Sequence, residues 1–361
     1  MKSHSAWLLP FVLAASAMPV VHGATVAASD SLPDWNDGPA KRAIVDFVQT
    51  TTDPSGSRFV PPAERVAVFD QDGTLWVERP VYAQLVYCLD RVPALVKTRP
   101  QLASVEPFKT VLTGNRAAIA GLSSEDLLKI VAATLTGMSV EQFQREVKGW
   151  LATTVDPRWK RPYIELTYLP MQELLKYLRA NGYRTYIVTG GGQDFVCVYA
   201  EQVYGIPPEQ VVGSAGSSKY GYDQSGKPML TKEPELLLNN DNVGKPEGIQ
   251  LMIGRRPYAA FGNSSGDRQM LEYTRAGSGV RLAMLVLHDD ARREYAYGPA
   301  QGLPGTKVGA FPQELYDHAR KSGWIVISMK DDWKRVFSFE QLKRGARPSQ
   351  WSATARPVVP S

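Results

Sequence analysis

Arg65-Val66-Ala67-Val68-Phe69-Asp70-Gln71-Asp72-Gly73-Thr74 is the stretch on which the fold turns. Residues 65–69 are a short apolar run that reads as a buried strand. The run stops on Asp70, and a second carboxylate, a glycine and a hydroxyl follow at once. A calcium-binding loop would need its glycine at the sixth position and a helix in front of it. Here the glycine is fourth and a strand precedes it, which argues against calcium.

Downstream, strand and helix patterns alternate. Pro170 opens a helix whose apolar residues are Met171, Leu174, Leu175 and Leu178, and Asn181-Gly182 closes it. A strand follows over residues 183–188 and a helix over 195–204, closed by Gly205. Residues 211–238 read as strands joined by a turn at 223–226. A helix over 246–253, a strand over 258–261, a helix over 267–274 and a strand over 281–287 complete the series. Such alternation predicts an α/β fold, a parallel sheet covered by helices on both faces. Between the first strand and Pro170 the pattern is helical, over about residues 81–159. Ser123 with Asp126, and Ser139 with Gln142, have the spacing of helix starts. Val140, Phe143, Val147 and Trp150 then share one helical face.

In an open α/β sheet, ligands bind at the carboxyl ends of the strands. The residues expected at those ends form one chemical set: Asp70 and Asp72, then Thr189-Gly190-Gly191, then Lys245, then Asn263 and Asp267. A transferring phosphoryl group needs cations and N–H donors around it. Asp70 can act as a nucleophile, and Asp72 can protonate the leaving oxygen and later activate water. Thr189 and the Gly190 N–H can bind phosphate oxygens, and Lys245 can neutralise Asp70 and phosphate together. Two carboxylates with an amide oxygen make a hard-oxygen site suited to Mg²⁺. Taken singly, these residues have plainer readings: a turn for Thr189 and its glycines, an exposed lysine, helix caps for Asn263 and Asp267.

In order, Asp70-x-Asp72-Gly73-Thr74, Val188-Thr189-Gly190-Gly191, Gly244-Lys245-Pro246 and Gly262-Asn263-x-x-x-Asp267 resemble the four motifs of the haloacid dehalogenase superfamily, most of all its phosphoserine-phosphatase-type branch. The resemblance spans about residues 66–287. It implies a three-layer Rossmann-like core, residues 65–76 and 167–340, with a helical cap inserted at 77–166. It also implies that Asp70 and the Asp72 carbonyl ligate Mg²⁺, and that a phosphomonoester is hydrolysed through Asp70. The family usually has Asp where this chain has Asn263, so Asn263 and Asp267 both stand as metal candidates.

Other positions keep two readings. Glu78 and Arg79, just past the first motif, either read the substrate's leaving group or form a surface ion pair. His288, Asp289 and Asp290 either surround the metal or make a solvated turn. Trp76 and Tyr82 either line the substrate pocket or pack the cap hinge.

The 361 residues are 43% hydrophobic and 21% charged, an ordinary globular composition. The 41 basic and 36 acidic residues are dispersed, with no Lys/Arg block to suggest a nucleic-acid partner. Lys2, an uncharged apolar stretch at 6–21 broken by Pro10 and Pro19, and small residues at 23–24 predict a cleaved signal peptide over 1–24 and a periplasmic or secreted protein. Residues 25–64 read as an N-terminal extension holding one short helix, and 341–361 as a disordered tail. No later segment has the length and apolarity of a membrane span. Cys88 and Cys197 could pair or stay as thiols.

Several alternatives follow from this set. A dehalogenase has no leaving oxygen to protonate and so no need of Asp72, and a transport ATPase needs membrane spans. A phosphotransferase or phosphomutase could use the same groups. A non-catalytic binder of phosphate esters would gain nothing from a carboxylate aimed at an anion.

Overall fold

A computed structural model describes residues 32–341 of the chain. The expected signal peptide, 1–24, the first part of the extension and the tail from 342 lie outside the described residues.

Strand β1 (Val66–Phe69) sits mid-sheet, and all four of its residues are buried. It pairs in parallel with β2 (Arg184–Gly192) on one side and β5 (Ala259–Gly262) on the other. β3 (Val211–Tyr222) extends the sheet beyond β2 in parallel and turns back as antiparallel β4 (Pro228–Leu238). β6 (Leu282–Leu287) and β7 (Ile325–Ser328) extend it beyond β5, both in parallel. The order is β4-β3-β2-β1-β5-β6-β7.

Side-chain alternation sorts the strands into two cores. Ala67 and Phe69 of β1, with Leu282, Met284 and Val286 of β6, join one cluster; Val66 and Val68, with Ala283, Leu285 and Leu287, join the other. Helix α1 (Pro39–Thr52) lies on the first face through Ile44, Phe47 and Val48. The chain between β1 and β2 then carries α2 (Ala83–Thr98), α3 (Phe108–Leu112), α4 (Arg116–Ala120), α5 (Ser124–Leu135) and α6 (Val140–Thr153). α7 (Leu169–Ala180) returns to the first face with Met171, Leu174, Leu175 and Leu178 buried. α8 (Gln193–Cys197) and α9 (Ala200–Tyr204) follow β2. α10 (Gly244–Gly248), α11 (Arg268–Arg275) and α12 (Gln313–Lys321) come later, and Met270, Leu271, Leu315 and Ala319 bring the last two onto the second face. The sheet therefore lies between two helical layers, as the alternating pattern predicts.

The chain leaves and re-enters the core at one place. Trp76 bridges Thr167 in antiparallel fashion, the Tyr168 N–H donates to the Leu75 carbonyl at 2.9 Å, and the Val77 N–H to Leu166 at 3.2 Å. The helical stretch between is five helices, interrupted where Pro100, Pro107, Gly114, Gly121 and Gly137 stand, residues that end helices. Its aromatic residues meet the core at Phe195, whose ring centroid lies 5.6 Å from that of Tyr87.

Local expectations shift in three places. β2 runs on through Gly192 rather than ending at Val188, because Gly192 still pairs with Ser214 across a register shift. The helix expected over 195–204 breaks in two at Tyr199, whose ring stacks on Trp76 at 4.8 Å. The helix expected over 246–253 begins at Gly244 and continues as a π-helical turn over Ile249–Ile253, ended by left-handed Gly254. The N-terminal segment is tied in: Asp34 accepts two hydrogen bonds from Arg335, at 2.6 and 2.7 Å, and Trp35 bridges Trp333. Cys88 and Cys197 are both free thiols. Among the described residues no helix is long and apolar enough to cross a membrane.

Phe69 and Phe261, on adjacent strands and fully buried, stack with centroids 4.4 Å apart directly beneath Asp70. Replacing Phe261 with Ala removes that ring from a closed core and lowers unfolding free energy by about 3–5 kcal/mol, read by urea unfolding. A loss under about 1 kcal/mol would show that the two rings do not carry the strand pairing.

Candidate active site

The strand ends bring the expected residues together around one nitrogen. Lys245 at the start of α10 is 2% exposed, and its ammonium donates to Asp70 Oδ1 at 2.6 Å, Asp267 Oδ1 at 2.6 Å and the Val188 carbonyl at 3.0 Å. Its three N–H groups thus meet three acceptors, which is how a buried charge avoids a large desolvation cost. The neighbouring carboxylates push the Lys245 pKa up against the effect of burial, so it stays charged. Asp70 is pushed up to about 8, first by burial and then by the charge of Asp267, with Lys245 opposing.

Asp267 is committed elsewhere as well. Its Oδ2 accepts the Asn263 N–H at 2.9 Å, the Ser264 N–H at 3.0 Å and the Ser264 hydroxyl at 3.3 Å. Both of its oxygens are therefore engaged, one by Lys245 and one by its own loop. Asn263 is placed differently. Its Nδ2 donates to Glu78 Oε1 at 2.7 Å, and its Oδ1 accepts from Thr74 Oγ1 at 3.2 Å. Thr74 Oγ1 also lies 3.4 Å from Asp70 Oδ2, so Asn263 Oδ1 and Asp70 Oδ2 face the same small space.

The loop after β1 is tightly built. Three successive N–H groups, of Thr74, Leu75 and Trp76, point at the Gln71 carbonyl. Gly73 has φ +79°, and a Cβ there would lie 2.2 Å from Asn263 Nδ2 and 2.5 Å from Glu78 Oε1. Only glycine fits. Asp72 Oδ1 accepts from Trp76 Nε1 at 2.8 Å. Burial raises the Asp72 pKa to about 6, with the Trp76 hydrogen bond and the Lys245 charge opposing.

On β2, the Thr189 hydroxyl accepts the Gly191 N–H at 3.0 Å, and the Gly192 N–H donates to Gln84 Oε1 at 2.8 Å. Buried Asn240 donates to the carbonyls of Thr189 and Val212, both at 3.0 Å, and so holds β2 and β3 at the site. Neither Gln84 nor Asn240 stands in a motif; each acts through an amide reaching across from another element, a pairing that one sequence does not display.

Glu78 and Arg79 part company. Glu78 is buried, accepts from Tyr297 OH at 2.8 Å as well as from Asn263, and lines the cavity; burial holds its carboxyl well above the usual range. It makes no surface ion pair. The Arg79 guanidinium donates to Thr306 at 2.8 Å and lies over the Tyr297 ring at 5.5 Å, outside the cavity lining, so its expected place at the substrate is corrected. The arginine is held by an aromatic face and a hydroxyl instead.

Of the residues after β6, His288 reaches the site loop. Its Nε2 donates to the Gly73 carbonyl at 2.8 Å, and Nδ1 lies 3.0 Å from Glu294 Oε2. Asp289 instead accepts from Ser328 and the Lys330 N–H, and Asp290 pairs with Arg293. Trp76 packs on Tyr199, while Tyr82 lines the cavity.

Above Asp70 lies a cavity of about 770 Å³. Asp70, Asp72, Thr189, Gly190, Gly191 and Lys245 form its polar part. Among the described residues no group of three or more His, Cys, Asp or Glu is placed to hold a metal ion. A set of Asp70, the Asp72 main-chain carbonyl and Asn263 Oδ1 is all oxygen with one carboxylate, which suits Mg²⁺ and not zinc.

The model of the haloacid dehalogenase-like hydrolases matches residues 67–272, more than half of the chain, and the chain belongs to that family. No curated protein sequence matches it significantly. Solved structures similar to it include a conserved protein of unknown function from Anaerococcus prevotii DSM 20548, 15% identical, with 70% of this chain and 86% of that one covered and a TM-score of 0.45. Another is a protein of unknown function from Bordetella pertussis Tohama I, 15% identical, covering 73% and 98%, TM-score 0.44. A third is a phosphoserine phosphohydrolase-like protein from Francisella tularensis subsp. tularensis SCHU S4, 16% identical, covering 63% and 89%, TM-score 0.35.

Replacing Lys245 with Met leaves Asp70 and Asp267 buried without their cation. Unfolding free energy at pH 8 falls by about 3–5 kcal/mol. A buried carboxylate with a raised folded pKa destabilises once ionised, so the deficit shrinks as pH falls from that pKa toward about 4. Denaturant unfolding across pH checks this; a deficit independent of pH would contradict the ammonium's role.

Proposed function

We propose that this hydrolase is a magnesium-dependent phosphomonoesterase working through an aspartyl-phosphate on Asp70. The observation that carries the reading is the Asp70 carboxylate at the cavity floor, with Oδ1 pinned by Lys245 and Oδ2 turned toward Asn263 and Thr74. A carboxylate so fixed is oriented for attack.

In the first step an Asp70 carboxylate oxygen attacks phosphorus. The bond from phosphorus to the leaving oxygen breaks, and Asp72 gives that oxygen its proton, releasing an alcohol. In the second step water attacks the phosphorus of the aspartyl-phosphate and Asp72 takes a proton from it. The bond to Asp70 breaks, which restores the carboxylate and yields inorganic phosphate. Burial lifts the Asp72 carboxyl toward neutral pH, as a group that gives and then takes a proton requires. Trp76 holds one Asp72 oxygen in place, and the other lies toward Gly191. Thr189 and the Gly190 N–H bind the non-bridging phosphate oxygens, and Lys245 offsets their charge.

Asp70, the Asp72 carbonyl and Asn263 would hold Mg²⁺, which supplies positive charge between nucleophile and phosphate when bound. Asp267, with both oxygens engaged, serves to hold Lys245 and the 263–267 loop. Glu78 takes the Asn263 amide N–H and so turns its oxygen toward Asp70, which makes it a positioning residue. The helices of 77–166 act as a cap over the cavity. The apolar stretch at 6–21 supports export to the periplasm or medium.

Hydrolysis of p-nitrophenyl phosphate, measured with Mg²⁺ or with EDTA on wild type and Asp70→Asn, tests the reading. Wild type with Mg²⁺ alone turns over, and the variant loses at least about a thousandfold. Equal rates in all four arms would sink it.

A further inference from the structure

The cavity above Asp70 has two chemically distinct halves. The polar half is the phosphate end already described. The other half is built by α5 and by the segment after the hairpin bend of β4, and it is apolar. Leu127, Leu128, Val131 and Leu135 recur along one face of α5 at helical spacing and line the cavity. Leu236 of β4 and Phe143 of α6 stand with them. Leu128 is 67% exposed and Leu236 58% exposed, so two large apolar side chains are left uncovered at the same opening.

The charged groups settle what the apolar half can accept. Among the described residues its lining contains two cations, Lys232 and Lys245, and no arginine. Lys245 is saturated by Asp70, Asp267 and the Val188 carbonyl. Lys232 is paired with Asp194, with its ammonium 4.8 Å from the centre of the Phe143 ring. Neither is free to receive an anion on a leaving group. The remaining charges beside it, on β4, are the acids Glu233 and Glu235. A carboxylate or second phosphate carried into this half would find no unpaired cation and would face like charge.

We propose that the substrates are phosphate monoesters of apolar alcohols that carry no anion, whose hydrocarbon part lies against the α5 wall, and that small anionic esters such as phosphoserine are disfavoured. This rests on Asp70 being the attacking group, which places the ester oxygen at the boundary between the halves. Burying hydrocarbon against that wall is favourable and accrues per methylene.

The test is kcat/KM with ethyl, butyl and hexyl phosphate, and with phosphoserine. The three alkyl esters have leaving groups of nearly equal basicity, so chain length isolates burial. Expected is a rise of about fourfold per methylene along the series, before the cavity fills. Phosphoserine is expected to fall at least about tenfold below butyl phosphate. Leu128→Asp, a change at an exposed side chain, is expected to bring the hexyl-to-ethyl ratio toward one. A flat or falling series, phosphoserine as the best of the four, or an unchanged ratio in Leu128→Asp would each overturn the proposal. p-Nitrophenyl phosphate run alongside separates the two readings. Turnover of it that is lost in Asp70→Asn, with a flat alkyl series, overturns the apolar half alone; no turnover of any ester overturns both.

Discussion

One ammonium organises the site. Lys245 comes from the start of α10, Asp70 from the end of β1, the Val188 carbonyl from β2 and Asp267 from the loop before α11, and all meet at a single nitrogen. A buried lysine is costly unless each donor finds a partner, so the four elements must close on it together. Once they do, the rest follows by short links. Asp267 gathers the N–H groups of Asn263 and Ser264, Asn263 turns its oxygen toward Asp70, and Glu78 holds the far side of that amide. The glycine at position 73 is forced by the same crowding, since Asn263 and Glu78 fill the space a side chain would need. The Asn in place of the family's usual Asp thus sits in a network that fixes its orientation.

Much of this was readable from residues alone. The buried run before Asp70, the helix of Met171, Leu174, Leu175 and Leu178, and the order of the four motifs follow from local pattern, because a strand end and a helix face are written in consecutive residues. That residues 211–238 hold strands joined at the 223–226 turn was legible as well; that β4 runs antiparallel, at the edge of a sheet expected to be parallel, is a finding of the structure. What escaped has a common cause. Gln84 acts on Gly192, 108 residues on, and Asn240 on Thr189, 51 residues back, and no spacing rule links either pair. Arg79 was misplaced because adjacency to Glu78 suggests a shared role, whereas the backbone sends one side chain to the cavity and the other to Tyr297. Helix α12 buries only Leu315 and Ala319, too few apolar residues in period to stand out in sequence, though with β7 it closes the far side of the sheet.

The architecture separates chemistry from choice. The sheet supplies Asp70, Asp72 and Thr189 at or just past the ends of parallel strands, and α10 sets Lys245 beside them. The helices between β1 and β2, together with the β3–β4 hairpin, supply the wall that faces them. These two parts are themselves joined: the Gly137 N–H donates to the Lys232 carbonyl at 2.8 Å, and the Lys232 N–H to Met138 at 2.9 Å. The wall can therefore vary in side chains without disturbing the ammonium-centred cluster.

The central claim is a covalent bond from phosphorus to Asp70, and trapping that bond tests it most directly. Enzyme mixed with substrate and Mg²⁺, quenched in acid and reduced with borohydride, converts an acyl phosphate to the alcohol, which peptide mass spectrometry locates. The account predicts Asp70 recovered as homoserine only when substrate is present. Phosphate on any other side chain, or steady turnover with Asp70 always recovered intact, would contradict it.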